Sequence, residues 1–329
     1  MARIQATCFC TFASPWRVAR QTYRIIGCRP ALDKKPPVMV HAPGSRMSSQ
    51  LFGAGRTAVV TGASSGIGLH TALGLARTGM RVVMAGRDYA RTEAARRFVT
   101  ERSGSDSVII AVADFSNLAE VRRLADEILA ADNRLDVLVN NAGLMSPKFR
   151  FSFDGFELTF AVNHLAPFLL TTLLLERIKA SSPARIVTVA SEAHRGHRLN
   201  LTQLAQPHDW GTLRAYGRSK LCNILFTREL AARLDGSGVI ATCLHPGVVA
   251  TAIGQRGGLT ELVWRMMKPF MTSPEKGAET SLFLATVPDP TPFNGGYVIG
   301  KSLARPDPAA LDSSLGRHLW NESARLVGL

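Results

Sequence analysis

From Thr57 onward the chain alternates between short apolar runs and longer stretches that carry one apolar stripe. The runs are Thr57–Thr61, Arg81–Ala85, Ser107–Ala113, Leu135–Asn140, Arg185–Ala190, Val239–Leu244 and Gly296–Ile299. Helical stretches lie between them at Ile67–Thr78, Ala90–Ser103, Leu118–Ala131, Phe156–Ala180, Tyr216–Leu234 and Ser273–Thr286. The runs are rich in Val and Ile and lack polar alternation, so they read as strands buried on both faces. Buried strands separated by helices require a parallel sheet with helices on each side. One α/β domain is therefore expected over residues 48–302, a doubly wound parallel sheet of about seven strands, with a tail at 303–329.

A chain of 329 residues with 46% hydrophobic and 19% charged side chains can bury such a sheet. Its 39 Lys and Arg against 25 Asp and Glu give a net charge of +14. A balance that basic raises nucleic acid or a membrane surface as a partner. However, half of the excess sits in residues 1–47, which hold eight basic side chains and the single acid Asp33. The rest is diffuse, so no nucleic-acid partner is expected. The leader has no helical or strand period and no apolar run of the roughly 7–15 residues a secretory signal needs. It reads as a disordered extension, or as residues ahead of a true start at Met47. Its arginine-rich, acid-poor composition also fits a mitochondrial transit peptide. The expected location is the cytoplasm, or the mitochondrion under that last reading. Five scattered cysteines form neither a disulfide framework nor a zinc spacing, and no metal is expected. The most apolar stretch, Leu165–Leu175, is broken by Pro167 and is shorter than the roughly 20 residues a bilayer requires, so no transmembrane segment is expected.

The first strand runs into Gly62-Ala63-Ser64-Ser65-Gly66-Ile67-Gly68 and then a helix. A glycine-rich turn between a strand and a helix lets the backbone approach a pyrophosphate, and the helix N-terminus offers it N–H groups. No Gly-Lys-Ser/Thr follows, which excludes a Walker-type loop. The spacing is G-x-x-x-G-x-G. Further along come Asn140-Asn141-Ala142-Gly143 at the end of the fourth strand, Tyr216-Gly217-Arg218-Ser219-Lys220, and Pro246-Gly247 after the sixth strand. In this order the four motifs resemble the short-chain dehydrogenase/reductases, from about Thr57 to Gly300. The resemblance implies a Rossmann-type sheet and an oxidoreductase. It implies cofactor contacts from Gly62, Ser64, Ser65, Gly66, Ile67, Gly68, Asn141, Ala142, Gly143, Pro246 and Gly247. Asp114 and Phe115 match the family's adenine-contacting position.

After the second strand the chain reads Met84-Ala85-Gly86-Arg87-Asp88. An acid at this point would bind the ribose hydroxyl of NAD, and an arginine the 2′-phosphate of NADP. Arg87 points to NADP(H), with NAD(H) the runner-up if Asp88 takes the hydroxyl. Many NADP-using relatives have a basic residue where this chain has Ser65.

Tyr216 and Lys220 are one helical turn apart and share a face. A nearby ammonium and the positive nicotinamide ring would favour the phenolate and lower the tyrosine pKa from about 10. Tyr216 can then exchange a proton with an alcohol or carbonyl. The resemblance gives Lys220 the nicotinamide ribose as well. Ser191 ends the fifth strand, where a hydroxyl can steady the reacting oxygen. It precedes Tyr216 by 25 residues, a longer segment than in much of the family. That length, Ser191-Glu192-Ala193-His194 and Val162-Asn163-His164-Leu165 resemble the retinol dehydrogenase and WW-domain oxidoreductase branch. Asn163 matches the mid-helix asparagine that holds a proton-relay water. His194, His197 and His208 read as loop residues at the rim of the site. Val248–Thr272 is the expected substrate lid, Met-rich and apolar.

These readings lead to a lipophilic alcohol, aldehyde or ketone as substrate, of retinoid, steroid or long-chain type. A catalytically silent NADP(H)-binding adaptor is the alternative. The resemblance also raises a homodimer through Phe156–Ala180 and Tyr216–Leu234, although the sequence does not set the oligomeric state.

Overall fold

In the computed structural model, residues 53–247 and 272–329 are described. Met1–Pro43 is a unit by itself, wholly outside the described residues, and the account below concerns the unit Gly44–Leu329. The expected leader and all of the expected lid except Thr272 also lie outside the described residues. The apolar runs form a single sheet of order β3-β2-β1-β4-β5-β6-β7-β8. Its strands are β1 (Thr57–Thr61), β2 (Arg81–Gly86), β3 (Val108–Val112), β4 (Val137–Asn140), β5 (Ala184–Val189), β6 (Val239–His245), β7 (Tyr297–Ile299) and β8 (Ser302–Ala304). All pairings are parallel except that of β7 with β8. The strand order reverses at β1, which pairs with β2 on one side and β4 on the other. In open α/β sheets that switch point is where ligands bind, beyond the carboxyl ends of the strands.

Successive strand residues feed opposite cores, which is why the runs lack polar positions. Val59 and Val83 face one core, while Ala58, Val60, Val82 and Met84 face the other. Helices α1 (Gly66–Arg77), α2 (Tyr89–Ser103) and α6 (Pro274–Thr286) cover the second face. On the first face lie α3 (Leu118–Ala131), α4 (Ala166–Ala180), α5 (Thr212–Arg233) and α7 (Ser313–Val327). Side-chain caps fix the starts of four of them: Asp88 for α2, Asn117 for α3, Ser273 for α6 and Asp312 for α7.

Three expectations need correction. The sheet has eight strands rather than about seven. β8 returns through a two-residue turn in which Gly300 and Lys301 both have positive φ, 56° and 68°. Such a turn matches the twist of a hairpin, but a lysine in that position carries no sequence signal. The long helix Phe156–Ala180 is not continuous either. It starts as Leu158–Phe160, widens into a π turn at Ala161–Leu165, and resumes as α4. Pro167 explains the widening, since it has no N–H for the carbonyl of Asn163 and its ring crowds that carbonyl.

The third correction concerns the tail. Residues after Ser302 pack into the fold, and α7 buries Gly316, Leu319, Ser323 and Val327. Its Trp320 meets Phe168 of α4 edge-on at 5.0 Å and stacks on Phe226 of α5 at 5.9 Å. The Arg233 guanidinium lies 4.3 Å from the Trp320 ring centre. The helices expected at a dimer contact therefore carry α7 on this flank. The 23-residue span Leu158–Ala180 is long and apolar enough to cross a membrane, its most apolar 18-residue window having mean hydropathy 1.6, but 78% of that window is buried within the protein. Here it serves as a core helix.

If α7 is part of the core, Leu319→Ala should destabilise the protein by about 2–5 kcal/mol, as truncation of a buried leucine does. Urea unfolding would measure it. A change no larger than that of an exposed site would return α7 to the status of a tail.

Candidate active site

The carboxyl ends of β1 and β4 are laced together at the switch point. The Thr61 hydroxyl accepts the backbone N–H groups of Asn141 (3.0 Å) and Ala142 (2.9 Å) and donates to the Val139 carbonyl. In return the Asn141 carboxamide donates to the carbonyls of Thr61 (2.7 Å) and Gly62 (3.3 Å). The Asn141 side chain, expected among the cofactor contacts, thus holds the glycine loop in place. Gly62 and Gly66 have φ of 65° and 59°, a region costly for other residues. At Gly68 a Cβ would lie 2.4 Å from the Gly62 carbonyl oxygen and 2.5 Å from Asn141 Nδ2. The result is a concave stretch of backbone at the start of α1. Ser65, at the N-cap position, forms no side-chain cap there and is exposed, while Ser64 and Ile67 are half-buried.

Past β2, Arg87 is exposed, and it has no ion pair among the described residues. The Asp88 carboxylate is already engaged, accepting the Arg91 N–H at 2.8 Å as the cap of α2. After β3, Asp114 accepts both the N–H and the hydroxyl of Ser116, through Oδ1. Phe115 departs from expectation. Its ring is buried in the core with Leu118 and Val121, so only its backbone is available to a ligand.

The remaining candidates converge past β4 and β5. A Cβ on Gly143 would lie 3.3 Å from Asn163 Oδ1 and 3.5 Å from Lys220 Nζ, so glycine lets the chain pass between these side chains. Asn163, on the π turn, is fully buried and its carboxamide is held at both ends. Oδ1 accepts the Leu144 N–H (2.7 Å), and Nδ2 donates to the Leu144 carbonyl and the Ser219 hydroxyl (both 2.9 Å). Both amide protons are thus engaged, and Oδ1 keeps one acceptor site. Lys220 Nζ donates to the Val189 carbonyl at 2.8 Å and lies 5.6 Å from the Tyr216 ring centre. Burial pushes the Lys220 pKa down to about 8. Ser191 lies just past β5, accepts the Ala193 N–H at 3.2 Å and sits close enough to Tyr216 to favour its phenolate.

The sequence expectation for Tyr216 includes the positive nicotinamide ring; in the chain alone burial raises the tyrosine pKa above its usual value, opposed by Ser191. On the far side, Gly247 adopts φ 86° and follows Pro246 at the end of β6.

The sequence reading missed the supports of this group. Ser219 also donates to the Tyr216 carbonyl, tying Asn163 to the turn that carries Tyr216. A Cβ on Gly217 would meet the Ala193 carbonyl oxygen at 2.6 Å, so glycine lets the segment after Ser191 lie against α5. A glycine in the middle of a helical stretch was the available signal. His194, read as a rim residue, is buried. Its Nδ1 bonds the Ser191 carbonyl (2.7 Å), and its Nε2 accepts the Asp307 N–H (2.9 Å). Burial lowers its pKa, which keeps it neutral for that second bond. His197 is half-buried and His208 exposed.

A doubly wound sheet with a glycine cradle at its switch point and a tyrosine–lysine pair beside it defines a class, the dinucleotide-dependent oxidoreductases. The family model for short chain dehydrogenases matches residues 56–261. Retinol dehydrogenase 12 of Mus musculus is 41% identical over 275 residues, covering 84% of this chain and 87% of that protein. Among solved structures, an uncharacterized protein from Mycobacterium paratuberculosis matches with a TM-score of 0.68 at 34% identity, over 84% of this chain and 94% of that one. The RhlG/NADP active-site complex of Pseudomonas aeruginosa matches with a TM-score of 0.62 at 25% identity, over 79% of this chain and 98% of that one. The chain belongs to the short-chain dehydrogenase family and is an oxidoreductase of alcohols.

The lowered Lys220 pKa has a consequence for stability. A cation that holds its proton less firmly when folded than when unfolded destabilises the fold wherever it is charged. From 10.5 to about 8, the effect reaches about 3 kcal/mol at pH 7. Lys220→Met should therefore melt higher than the unsubstituted protein at pH 7, less whatever the lost Val189 bond contributes. The gap should shrink as pH rises from about 8 to 10.5, where the unfolded lysine also loses its charge. Thermal melts across that range would test it, and a lower melting temperature for the variant at pH 7 would count against a destabilising charge.

Proposed function

We propose that this protein is an NADP(H)-dependent oxidoreductase that interconverts a lipophilic alcohol, of retinoid, steroid or long-chain type, with its aldehyde or ketone. The observation that carries the reading is the convergence of Tyr216, Ser191, Lys220 and Asn163 beside the glycine cradle. The cradle fits a dinucleotide, because glycine at 62 and 68 lets the loop pack tightly on itself and against Asn141 and Ala142, with Gly62 in a left-handed turn, and the start of α1 lacks a side-chain cap. Gly62, Ser64, Ser65, Gly66, Ile67 and Gly68 would hold the diphosphate. Asp114 and the Phe115 backbone would meet the adenosine, and Ala142, Gly143, Pro246 and Gly247 would flank the nicotinamide. An exposed Arg87 beside an Asp88 already engaged as a cap supports a 2′-phosphate over a free ribose hydroxyl. The NADP bound by RhlG agrees with that choice. A lipophilic substrate is supported by the retinol named for the mouse relative.

When bound, the nicotinamide supplies the hydride acceptor or donor. Tyr216 takes the proton of the alcohol during oxidation and returns it during reduction. Ser191 hydrogen-bonds the same oxygen and steadies its charge. Lys220, fixed by Val189, brings positive charge to the tyrosine and would hold the nicotinamide ribose. Because burial raises the Tyr216 pKa, a further cation in the crevice is needed to draw it down. Asn163 would hold the water of a proton relay from Lys220, while its carboxamide fixes the Leu144 backbone beside the site.

Tyr216→Phe should lower kcat by roughly a hundredfold or more, the contribution of a positioned acid–base, with cofactor affinity within a few-fold of the unsubstituted protein. Steady-state cofactor absorbance with a panel of retinoids, steroids and long-chain alcohols would measure it, and full turnover by the variant would remove Tyr216 from the mechanism. Arg87→Ala should weaken NADPH binding by about tenfold or more, the worth of a charge-assisted bond, and leave NADH binding unchanged. Equal losses for both cofactors in fluorescence titrations would make Arg87 a bystander.

A further inference from the structure

Three phenylalanines stand in solvent on one short hairpin. Phe149 is 39% exposed, Phe151 55% and Phe153 76%. The hairpin is firmly built. Phe151 bridges to Glu157, the Leu158 N–H donates to the Arg150 carbonyl (3.0 Å), and the Ser152 N–H donates to the Phe156 carbonyl (2.7 Å). Buried Ser152 accepts the N–H groups of Asp154 and Phe156 on its hydroxyl. Alternate residues of an extended segment share a side, and Phe149 and Phe151 do so here, with Phe153 on the turn that follows. Phe149 meets Phe151 edge-on at 4.9 Å and Trp210 at 5.9 Å. Trp210 is anchored in turn by its Nε1, which donates to buried Glu157.

Two of the three exposed charges on the hairpin are basic. Lys148 and Arg150 alternate with the rings, are exposed, and have no ion pair among the described residues. The one acid at the tip, Asp154, is engaged with the Leu118 N–H at the start of α3. The position is as telling as the composition. The hairpin follows β4 at the carboxyl edge of the sheet, and the Phe153 N–H donates to the Ser116 carbonyl in the loop after β3. Leu213, 73% exposed, precedes Tyr216 by three residues on α5. Apolar exposure therefore gathers on the edge that holds the candidate site.

We propose that this hairpin, with Leu213, docks the carboxyl edge of the protein on an anionic phospholipid surface, so that the substrate enters from the lipid. The proposal rests on the lipophilic-alcohol reading above and deepens it. Aromatic rings interleaved with uncompensated cations match the headgroup boundary of such a surface, where rings settle and basic side chains meet lipid phosphate and carboxylate. A second copy fits less well, because a two-fold contact would set Lys148 and Arg150 against themselves, two cations per copy to one exposed acid, Asp154.

The test uses the full chain and co-sedimentation with phosphatidylcholine vesicles, with and without phosphatidylserine. The unsubstituted protein should bind the phosphatidylserine vesicles preferentially. Phe151→Ser with Phe153→Ser, two exposed positions that leave the core intact, should weaken binding by roughly tenfold or more. Lys148→Gln with Arg150→Gln should weaken it by roughly tenfold and remove the preference for phosphatidylserine. Both variants should keep their turnover of a water-soluble short-chain alcohol and lose turnover of a long-chain alcohol delivered in vesicles. Vesicle binding equal to that of the unsubstituted protein in both variants would overturn the proposal. So would a concentration-dependent dimer that the phenylalanine changes abolish while vesicle binding persists. Binding is read without turnover, so an unsubstituted protein that binds vesicles but oxidises no alcohol would overturn the functional reading alone.

Discussion

The exchange of hydrogen bonds between Thr61 and Asn141 is the constraint on which the site depends. Parallel strands that diverge at a switch point leave a crevice, and backbone groups at its rim lack ladder partners. Thr61 takes up two N–H groups of the β4 end, and Asn141 returns two bonds to the β1 end. That closes the base of the crevice and brings the glycine loop against the chain at Ala142, 2.9 Å from where a Gly62 Cβ would stand. The next two residues, Gly143 and Leu144, then reach Asn163 and Lys220, and Asn163 in turn bonds Ser219. Cradle and tyrosine–lysine group are thus two ends of one short segment, and neither can move far without the other.

The second half of the site is held in an unfavourable electrostatic state. Lys220 is 4% exposed and its one hydrogen-bond acceptor among the described residues is a neutral carbonyl, so burial draws its pKa down to about 8. Tyr216 is pushed the other way, toward its neutral form. Both shifts favour uncharged side chains, and added charge in the crevice changes both. A site poised like this is stable as an acid–base pair of modest strength and becomes stronger when a cation settles beside it. The π turn serves the same end. It costs Asn163 its regular helical bonding and frees it to hold the Leu144 backbone.

Much of this was legible in the sequence because it depends on spacing. Both-face burial made the strands readable as unbroken apolar runs, and Gly62, Gly66, Gly68, Tyr216 and Lys220 declared themselves by their intervals. What could not be read depends on which atom meets which. Asn141 and Asn163 are candidates by position, yet both carboxamides are occupied by backbone. Phe115 and Asp114 are neighbours, but one faces the core and the other the loop. His194 lies in a polar stretch and is buried only because the Asp307 N–H, 113 residues away, comes to it. The stripe of α7 was present in Leu315, Leu319, Trp320 and Val327, but a helix with no strand after it gave no alternation to extend.

α7 and the Phe149–Phe153 hairpin make an informative contrast. The flank formed by α4 and α5 presents Phe168 and Phe226, large rings that would be costly to leave in water. The chain covers them itself with Trp320 and pins the cover through Ser323, whose hydroxyl bonds buried His164 at 2.9 Å. Burial pushes the His164 pKa down to about 3, so this contact stays neutral and does not loosen at physiological pH. The same chain leaves three phenylalanines and a leucine uncovered at the carboxyl edge, on a hairpin held by its own hydrogen bonds. A fold that seals one aromatic face with its last helix has the means to hide apolar surface. Rings kept exposed on a rigid support beside the site, with two unpaired cations between them, fit a surface that is covered when the protein works.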